Sequence, residues 1–409
     1  MCRARVLNSF NELTSIINRG GGPAGSLSNR LRKRLTRAQI GIDQEESEQM
    51  TTMADVARRA QVSVSTVSHV INGTRKVADA TRAGVLGAIQ ELGYTPNTIA
   101  RSLATASTRS IGLAISAISN PYFTNLVHVI EAKLSEFGYM LLLAEPHEDA
   151  DRELRVVRGL HERRVDGMLI APGADSRRHA LRYLAEHDLP TVLVDRLAWD
   201  HFDQVGSENE RPTADLVNHL AELGHKRIGM ISGLHGLSTT DERIAGYRLG
   251  LANAGLAFEP ELLETGASEG DAAHEAVIQM WAGKRPPSAL IVANNQMTIG
   301  AMRALRDLGL TVPSDVALVA FDDFEWSDLF HPRLTTMAQP VSWMGAEAVR
   351  LLLSRIEAPD LPPRTVRLSP TFMHRDSCGC NSQHGHRLNQ TTRSVAGEMQ
   401  PKRRPPARR

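Results

Sequence analysis

The sequence of 409 residues is poor in cysteine and in aromatic residues, with 3 cysteines and 4 % Phe, Trp and Tyr. Three cysteines cannot form a disulfide framework, which excludes the small disulfide-stapled class of secreted domain. No segment approaches the ~18 consecutive apolar residues of a membrane-spanning helix, so we expect no membrane association. Residues 1–49 lack the apolar run of a secretory signal, and we therefore expect a cytoplasmic protein.

The sequence does have a strong segregation of charge along its length. Residues 1–110 carry 15 Lys and Arg against 8 Asp and Glu, residues 111–383 carry 25 against 37, and residues 384–409 carry 7 against 1. The net charge of +1 therefore hides a basic head, an acidic body and a basic tail. This arrangement indicates that the head binds a polyanion and that the body has another task.

Residues 51–94 carry the signals of short helices. Thr52 and Asp55 predict a capping box at the start of a first helix. After a turn at Gln61-Val62, Ser63 is a good N-cap for a second helix at 64–71, which Asn72-Gly73 ends. A third helix is predicted at 80–92, and its buried face is expected to present Val85, Leu86, Ile89 and Leu92.

Two short helices with a tight turn and a supporting third helix are typical of a helix-turn-helix, whose second helix enters the major groove of DNA. The exposed Ser65, Ser68 and His69 can hydrogen-bond base edges, and Val64 can contact a thymine methyl group. On spacing alone, a generic three-helix bundle with polar outer residues remains the alternative.

Two segments carry a family resemblance, TMADVARRAQVSVSTVSHVINGTRKV and ELGYTPNTIARSLATASTRSIGL. They closely resemble the head and hinge of the lactose-repressor/galactose-repressor family, nearest to its purine and ribose repressor branch, and the resemblance continues to about residue 375. It implies a transcriptional repressor that is not an enzyme. It implies base contacts from Val64, Ser65 and His69, and phosphate contacts from Thr52, Thr66, Ser68, Asn72, Lys76 and Thr81.

The hinge segment, residues 98–104, has room for little more than one helical turn and is marginal as an isolated helix. In the family that it resembles, this segment folds on binding, pairs with its dimer mate and lies in the minor groove. The resemblance implies minor-groove contacts from Ala100, Arg101 and Leu103, with Leu103 as the wedge into a base step. A plain interdomain linker is the alternative.

From residue 110 onward, apolar strand-like runs alternate with amphipathic helix-like runs, which predicts parallel sheets covered by helices. About a dozen units are too many for one sheet, so two subdomains are expected. The clearest strands are predicted at 111–118, 139–144, 167–170, 191–195, 228–232, 289–293 and 316–322. The resemblance implies a two-lobed effector domain of the periplasmic-binding-protein type (type I), with its ligand between the lobes.

Polar residues follow several of these strands, where α/β folds bind ligands. Carboxylate, guanidinium and amide groups beside an aromatic edge suit a polyhydroxylated ligand, because each of them can hydrogen-bond paired hydroxyls. By the resemblance, Arg243, Asn294 and Asp322 fall on sugar-binding positions. The candidate ligand-binding residues are Tyr122, Phe123, Arg196, Thr239, Arg243, Asn294 and Asp322.

The identity of the ligand stays open. Arg196 and Ser268 replace two aromatic residues of the purine branch, which argues against a purine corepressor. Since Arg196 and Arg243 could together pair with a carboxylate, a sugar acid competes with a neutral sugar. Ser207 or Glu208 is expected at the pocket position of the family's Asp-Asn pair. On the pattern alone, the Asp322 carboxylate could instead form a structural salt bridge, and Tyr122 and Phe123 could be core residues.

We divide the chain into five regions. Residues 1–50 are a disordered extension or a mis-assigned start, and residues 51–94 are the helix-turn-helix head. Residues 95–110 are the hinge with its linker, residues 111–376 are the two-lobed ligand-binding and dimerisation body, and residues 377–409 are a disordered basic tail. Cys378-Gly379-Cys380 with His374 nearby is a weak metal pattern, and we predict neither a metal site nor a cofactor.

The sequence therefore predicts a cytoplasmic, nucleoid-associated repressor that binds a pseudo-palindromic operator as a homodimer, with half-sites about one helical turn (~34 Å) apart. A small carbohydrate or sugar-acid effector is expected to release it. A solute-binding protein is disfavoured because it would have no use for the head. An enzyme is disfavoured because the chain has no Walker loop, Gly-x-Ser-x-Gly elbow or zinc triad.

Overall fold

The computed structural model describes residues 51–73, 75–95 and 107–380. Two predicted segments lie outside the described residues, the extension at 1–50 and residues 381–409 of the tail. The three predicted hinge contacts, Ala100, Arg101 and Leu103, also lie outside them. The chain divides into two compact units, Met1–Thr98 and Ile99–Arg409. None of the helices within the described ranges is both long and apolar enough to cross a membrane.

Between residues 51 and 95, the part of the N-terminal unit that the structure describes apart from residue 74, there are three helices, which are α1 (Met53–Arg59), α2 (Val64–Asn72) and α3 (Asp79–Glu91). Both hydrogen bonds of the predicted capping box at Thr52 are formed. Ser63 caps α2, and Gly73, at φ 64°, ends it in the left-handed conformation that glycine adopts most easily. The local signals for these helix boundaries are confirmed.

Val56, Val67 and Val85 are completely buried where the three helices of this unit meet. The expectation that Leu86 is buried is wrong, because its side chain is 49 % exposed. Val85 and Ala88 point inward from α3, and Leu86 lies about 100° further round the same helix.

The C-terminal unit contains two six-stranded sheets within the described residues. The first lobe has the strand order β11-β5-β4-β3-β1-β2. Its strands are β1 (Ser110–Ala114), β2 (Met140–Ala144), β3 (Gly167–Ile170), β4 (Thr191–Val194), β5 (Asp203–Ser207) and β11 (Thr365–Leu368). Its helices are α4 (Pro121–Glu136), α5 (Ala150–Glu162), α6 (Ala180–Glu186) and α11 (Val341–Glu357).

The second lobe repeats this architecture with the strand order β12-β10-β9-β8-β6-β7. Its strands are β6 (Ile228–Ser232), β7 (Leu263–Thr265), β8 (Ala289–Val292), β9 (Ala317–Phe321), β10 (Thr335–Ala338) and β12 (Thr371–Met373). Its helices are α7 (Glu210–Glu222), α8 (Ser238–Asn253), α9 (Gly270–Ala282) and α10 (Asn295–Asp307). The prediction of two α/β subdomains is confirmed.

The chain passes between the two lobes at three places, after β5, after β10 and after β11. All strand pairs are parallel except β10 with β12, which is antiparallel. Every residue of β3, β4 and β8 is buried, as expected when helices cover both faces of a parallel sheet. The parallel arrangement brings the carboxyl ends of the central strands of both sheets to the space between the lobes.

Close helix packing fixes the position of α8, which carries part of the candidate site. Gly246 and Gly250 lie against α7, and a Cβ atom at either residue would collide with α7 backbone atoms, the carbonyl of Glu210 among them. The two helices therefore approach each other more closely than larger residues would permit.

The predicted domain boundaries need two corrections. The disordered tail was expected to begin at residue 377, but Ser377 and Cys378 are buried in the second lobe. The Ser377 carbonyl accepts a hydrogen bond from the Leu318 amide at 2.8 Å, so the body extends through Cys380. The linker was expected to reach residue 110, but the Thr108 amide already donates to the Asp166 carboxylate of the body at 2.7 Å.

Candidate functional site

The first turn of α2 presents the residues that were predicted to read base edges. Val64 is 47 % exposed and Ser65 is also exposed. The Ser63 hydroxyl lies 2.8 Å from both the Ser65 hydroxyl and the Thr66 hydroxyl, and it accepts the Thr66 amide at 3.1 Å. This hydroxyl network fixes the backbone of the turn while the Val64 side chain remains at the surface.

The remaining predicted head residues lie at several places on this unit. The exposed Thr52 hydroxyl donates to the Asp55 carboxylate at 2.6 Å. Ser68 accepts a hydrogen bond from the exposed Asn72 carboxamide at 3.2 Å. His69 and Thr81 are half-buried, and Lys76 is exposed, so all of them keep some surface for contact.

The candidate ligand site is a cleft of about 870 Å³ between the two lobes of the C-terminal unit. Its walls come from the carboxyl ends of the central strands and from the loops that follow them. The cleft brings together all seven of the predicted ligand-binding residues, which are Tyr122, Phe123, Arg196, Thr239, Arg243, Asn294 and Asp322.

Arg196, on the wall of the first lobe, is 5 % exposed and paired with a carboxylate of the protein itself. Two of its nitrogens donate to the two oxygens of Glu148, at 2.7 and 2.9 Å. Its guanidinium also lies 5.8 Å from the centre of the Phe123 ring. Because the bidentate pair occupies the guanidinium edge, Arg196 is already neutralised without a ligand.

Tyr122 and Phe123 are both wall and core residues. Each is 5 % exposed, and their rings meet edge to face with centroids 5.0 Å apart. The Tyr122 hydroxyl donates to the Asp195 carboxylate at 2.6 Å. Burial raises the pKa of Tyr122 well above its usual value, and burial also raises the pKa of Asp195. Both residues therefore belong to the core of the first lobe and also line the cleft.

Arg243, on the wall of the second lobe, is 6 % exposed and has a different set of partners. Its Nε donates to the Asn209 carboxamide at 2.9 Å, and its Nη1 donates to the Ala293 carbonyl. The guanidinium carbon lies 3.7 Å from the centre of the Phe321 ring. These contacts hold the guanidinium in one orientation, with the other nitrogen, Nη2, toward Asp322.

Asp322 lies across the same part of the cleft. One of its oxygens accepts a hydrogen bond from the Gln339 carboxamide at 2.6 Å and lies 4.0 Å from Nη2 of Arg243. This separation is too long for a direct hydrogen bond but still within reach of an ion pair, so the salt bridge that the pattern left open is present in a loose form. Burial raises the pKa of Asp322, since the charged form is poorly solvated there.

Thr239 and Asn294 occupy the starts of two helices that face the cleft. Asn294 caps α10 through its side-chain oxygen, which accepts the Met297 amide at 2.7 Å. This bond fixes the carboxamide at the cleft wall. Thr239 lies in the first turn of α8.

Backbone strain is concentrated around the cleft. Of the eleven non-glycine residues with positive φ among the described residues, seven line the cleft. These are Ala117, His147, Glu148, Asp195, Ala267, Ser268 and Asp322. Such conformations persist only where the surrounding structure imposes them, and they accumulate at functional sites.

The sequence reasoning placed one position wrongly and missed others. Ser207 and Glu208 were expected in the pocket, but neither lines the cleft, and the Ser207 hydroxyl donates to the Leu368 carbonyl at 3.2 Å. The following residue, Asn209, contacts Arg243 instead. Glu148 and Gln339 were missed because they lie in loops with no local sequence signal for a cleft.

The head and the cleft together define a class: a helix-turn-helix protein whose second unit is a two-lobed α/β domain with a polar cleft is a ligand-responsive DNA-binding regulator. Family models agree with this class. Residues 52–97 match the bacterial regulatory proteins of the lacI family, and residues 217–378 match the periplasmic binding protein-like domain.

Individual relatives match most of the chain. It is 36 % identical over 332 residues to the ribose operon repressor of Escherichia coli (strain K12), which covers 80 % of this chain and 100 % of the relative. It is 35 % identical over 333 residues to the repressor PurR of Aliivibrio salmonicida (strain LFI1238), with 80 % and 99 % covered. The solved Lac repressor dimer bound to operator and the anti-inducer ONPF aligns with a TM-score of 0.73 at 28 % identity, covering 80 % and 99 %.

The chain therefore belongs to the lacI family of bacterial regulatory proteins. Its fold is that of the Lac repressor, and its function is that of a DNA-binding transcriptional repressor without enzymatic activity.

Proposed function

We propose that this repressor binds a pseudo-palindromic operator as a homodimer and that a neutral, polyhydroxylated sugar in the interlobe cleft releases it. The observation that carries the proposal is the convergence of all seven predicted ligand residues on one cleft of about 870 Å³. A protein whose partner is chromosomal DNA works in the cytoplasm at the nucleoid, which is where we expect it.

The charges around the cleft favour a neutral sugar over a sugar acid. Each of the three arginines that line the cleft already faces a carboxylate of the protein: Arg196 faces Glu148, Arg243 faces Asp322, and Arg303 pairs with Asp271 at 2.9 Å. Further carboxylates line the same walls, Asp195 among them. An anionic ligand would have to displace one of these pairs, whereas sugar hydroxyls can donate to the carboxylates and accept from the guanidinium groups.

The geometry of the second lobe suits recognition of hydroxyls. At 4.0 Å, Arg243 and Asp322 attract each other as charges but form no direct hydrogen bond, so a donor and an acceptor remain available side by side. A vicinal diol can supply the complementary acceptor and donor. Tyr122 and Phe123 close the opposite wall with apolar surface.

In the head, we propose that Val64, Ser65 and His69 contact bases, and that the phosphate contacts come from Thr52, Thr66, Ser68, Asn72, Lys76 and Thr81. The support is their exposure or half-exposure and the cluster of hydroxyls at the start of α2. Ala100, Arg101 and Leu103 are proposed to contact the minor groove on the basis of the family resemblance.

The effector is proposed to act by shifting the population between lobe arrangements. An effector that prefers the arrangement with low operator affinity lowers that affinity by its differential binding free energy. Couplings of this kind are about 1–3 kcal/mol, or roughly 5–150-fold in affinity. Release by the effector is the expected sign.

A screen of the full-length protein tests the effector class. Thermal unfolding is measured with panels of neutral sugars, sugar acids and nucleobases, because a ligand of the folded state raises the unfolding temperature. We expect stabilisation by a neutral sugar and lowered operator affinity with the same sugar. Stabilisation by sugar acids alone would contradict the neutral class.

Asp322→Ala tests the site itself. This variant should bind operator normally but lose its response to the effector, whereas Asp307→Ala, an exposed aspartate of α10, should keep the response. A full response in Asp322→Ala would refute the role of Asp322 in the cleft.

Operator binding tests the head. His69→Ala should change the preference at one base position in each half-site, and Leu103→Ala should weaken specific binding without changing effector affinity. Specific binding should also fall steeply with salt, since phosphate contacts release counterions. A uniform loss across all sequences in His69→Ala would assign His69 to a phosphate contact.

A further inference from the structure

A group of metal-ligating side chains lies in the second lobe, among residues that do not line the cleft. His374, Cys378 and Cys380 follow β12 at the end of the described body, and His219 lies in the last turn of α7. Cys378 is 1 % exposed and His219 is 9 % exposed. The ligand atoms of all four residues lie within 4.8 Å of one another.

The local geometry of the C-terminal segment directs both thiols to one side. Gly379 adopts a φ of 83°, and its amide donates to the Asp376 carbonyl at 3.0 Å in a tight turn. As a result the Sγ atoms of Cys378 and Cys380 are 3.0 Å apart. Nε2 of His374 lies 2.8 Å from Sγ of Cys380 and 3.7 Å from Sγ of Cys378.

The fourth residue of the group supplies an independent observation. Nε2 of His219 is buried and has no hydrogen-bond partner. Leaving a buried nitrogen unpaired costs free energy, and such atoms in folded proteins are usually explained by an ion, a water or a functional role. The rings of His219 and His374 meet edge to face with centroids 5.1 Å apart, beside Phe372.

Two cysteines and two histidines form the ligand set that tetrahedral zinc prefers. Zinc–sulfur bonds of about 2.3 Å and zinc–nitrogen bonds of about 2.0 Å place such ligand atoms between three and four ångströms apart. Rearrangements of about 1 Å therefore suffice: the two thiols, and Cys380 and His374, must move slightly apart, and the longest separations, up to 4.8 Å, must close. A disulfide between the two cysteines would leave both histidines without a role.

We propose that His219, His374, Cys378 and Cys380 bind a structural zinc ion. Four protein ligands leave no open position for a water or a substrate, so the site is structural and not catalytic. This proposal departs from the expectation from the sequence that the Cys-Gly-Cys motif binds no metal, which rested on a ligand set without His219.

The location of the site indicates what the ion stabilises. α7 follows the first passage of the chain between the lobes, and β12 follows the third passage. Zinc bound to residues from both segments would hold the C-terminal end of the body against α7. Because the site forms only in the folded protein, the free energy of metal binding adds to the stability of the second lobe.

The first experiment uses the full-length protein, reduced, loaded with zinc chloride and dialysed. Metal analysis is expected to give one zinc per chain. Replacement with Co²⁺ is expected to give the visible bands of a tetrahedral ion and a thiolate charge-transfer band in the near ultraviolet. Absence of bound zinc after loading, or an octahedral cobalt spectrum without charge transfer, would overturn the proposal.

Variants identify the ligands. Cys378→Ser and His219→Gln should each lose most of the bound zinc, and Cys378→Ser should also weaken the charge-transfer band. His384 and His386, in the tail beyond the described residues, provide the matched control. The double variant His384→Gln/His386→Gln should retain the zinc, and loss of the metal there with retention in His219→Gln would overturn the assignment.

If a ligand variant fails to fold, the wild-type protein still tests the proposal. Removing zinc with a chelator should lower the unfolding temperature, and restoring zinc chloride should recover it. No change in unfolding temperature on removal and restoration, or two cysteines that form a disulfide and bind no zinc after reduction, would count against a structural metal.

Discussion

The two lobes of the cleft each contribute one buried arginine, and the two arginines are held differently. Arg196 of the first lobe is 5 % exposed and Arg243 of the second lobe is 6 % exposed. Arg196 forms a bidentate pair with Glu148. Arg243 instead donates to a neutral carboxamide and a backbone carbonyl, and it stands 4.0 Å from the Asp322 carboxylate.

The difference shows that burial and residue type alone do not identify a ligand-binding group. In the first lobe the Glu148 carboxylate binds both terminal nitrogens of Arg196 and leaves only Nε without a hydrogen-bond partner, so this pair shapes and stiffens the wall. In the second lobe the neutral partners fix the orientation of Arg243 without using all of its hydrogen-bonding capacity. We therefore expect stability to depend more on the first lobe and effector affinity to depend more on the second.

The largest effect is expected from Glu148→Ala, which removes the bidentate partner of the buried Arg196 and leaves it only the longer ion pair with Asp195 at 3.7 Å. The free energy of unfolding should fall by about 3 kcal/mol, at the low end for a broken buried pair because Glu148 keeps 23 % of its side-chain exposure. Denaturant unfolding measures the change. The double variant Glu148→Gln/Arg196→Met should recover most of the lost stability. An unchanged denaturant midpoint in Glu148→Ala would show that stability does not depend on the ion pair of the first lobe.

The next effect concerns the second lobe. Arg243→Met should lower effector affinity by roughly 100-fold, since hydrogen bonds to charged groups contribute about 1.5–3 kcal/mol. The neutralised pair Glu148→Gln/Arg196→Met is the matched control and should lose less than about tenfold, or 1.4 kcal/mol. Calorimetric titration measures both affinities. Equal losses in the two proteins would show that both arginines bind the effector directly.

A smaller effect is expected at the aromatic wall. Tyr122→Phe removes the hydrogen bond to the buried Asp195 carboxylate and should lower the free energy of unfolding by about 1–2 kcal/mol. Effector affinity should change little, because that hydroxyl is already used within the protein. A large loss of affinity with no loss of stability would instead make the Tyr122 hydroxyl a ligand contact.

The smallest effect is a pH dependence of effector binding. Burial raises the pKa of Asp322, and hydroxyls that donate to its carboxylate favour the ionised form. Effector affinity should therefore fall as the pH is lowered, starting above the ordinary aspartate value of about 3.9. Effector affinity is measured as a function of pH in the wild type and in Asp322→Asn. The same dependence of affinity on pH in both proteins would exclude Asp322 as its cause.

The sign for stability is opposite in the protein without effector. A raised pKa in the folded state means that the folded protein binds more protons than the unfolded chain does. The contribution of Asp322 to stability is therefore fully present below the unfolded pKa and is lost as the pH rises through the folded pKa. Opposite slopes for stability and for effector affinity would link both to this one carboxylate.

Local signals in the sequence predicted the head better than the body. The caps at Thr52 and Ser63 and the stop at Gly73 are confirmed because each acts within one helical turn. Among the strands, the apolar central ones were predicted. The edge strand β2 was also predicted, but β5, β7, β10, β11 and β12 were missed, since three to five mixed residues carry no period that distinguishes a strand from a loop.

The sequence by itself determined the family, the two-part architecture and the set of polar residues that follow the strands, because caps, periodicity and motifs are written in neighbouring residues. Only the tertiary structure decided which partner each of these residues has. In the folded protein Arg196 pairs with Glu148 and Arg243 donates to Asn209. His219 lies beside the two cysteines although they are more than 150 residues further along the chain. Such pairings depend on how helices and strands pack, and no local pattern in the chain specifies them.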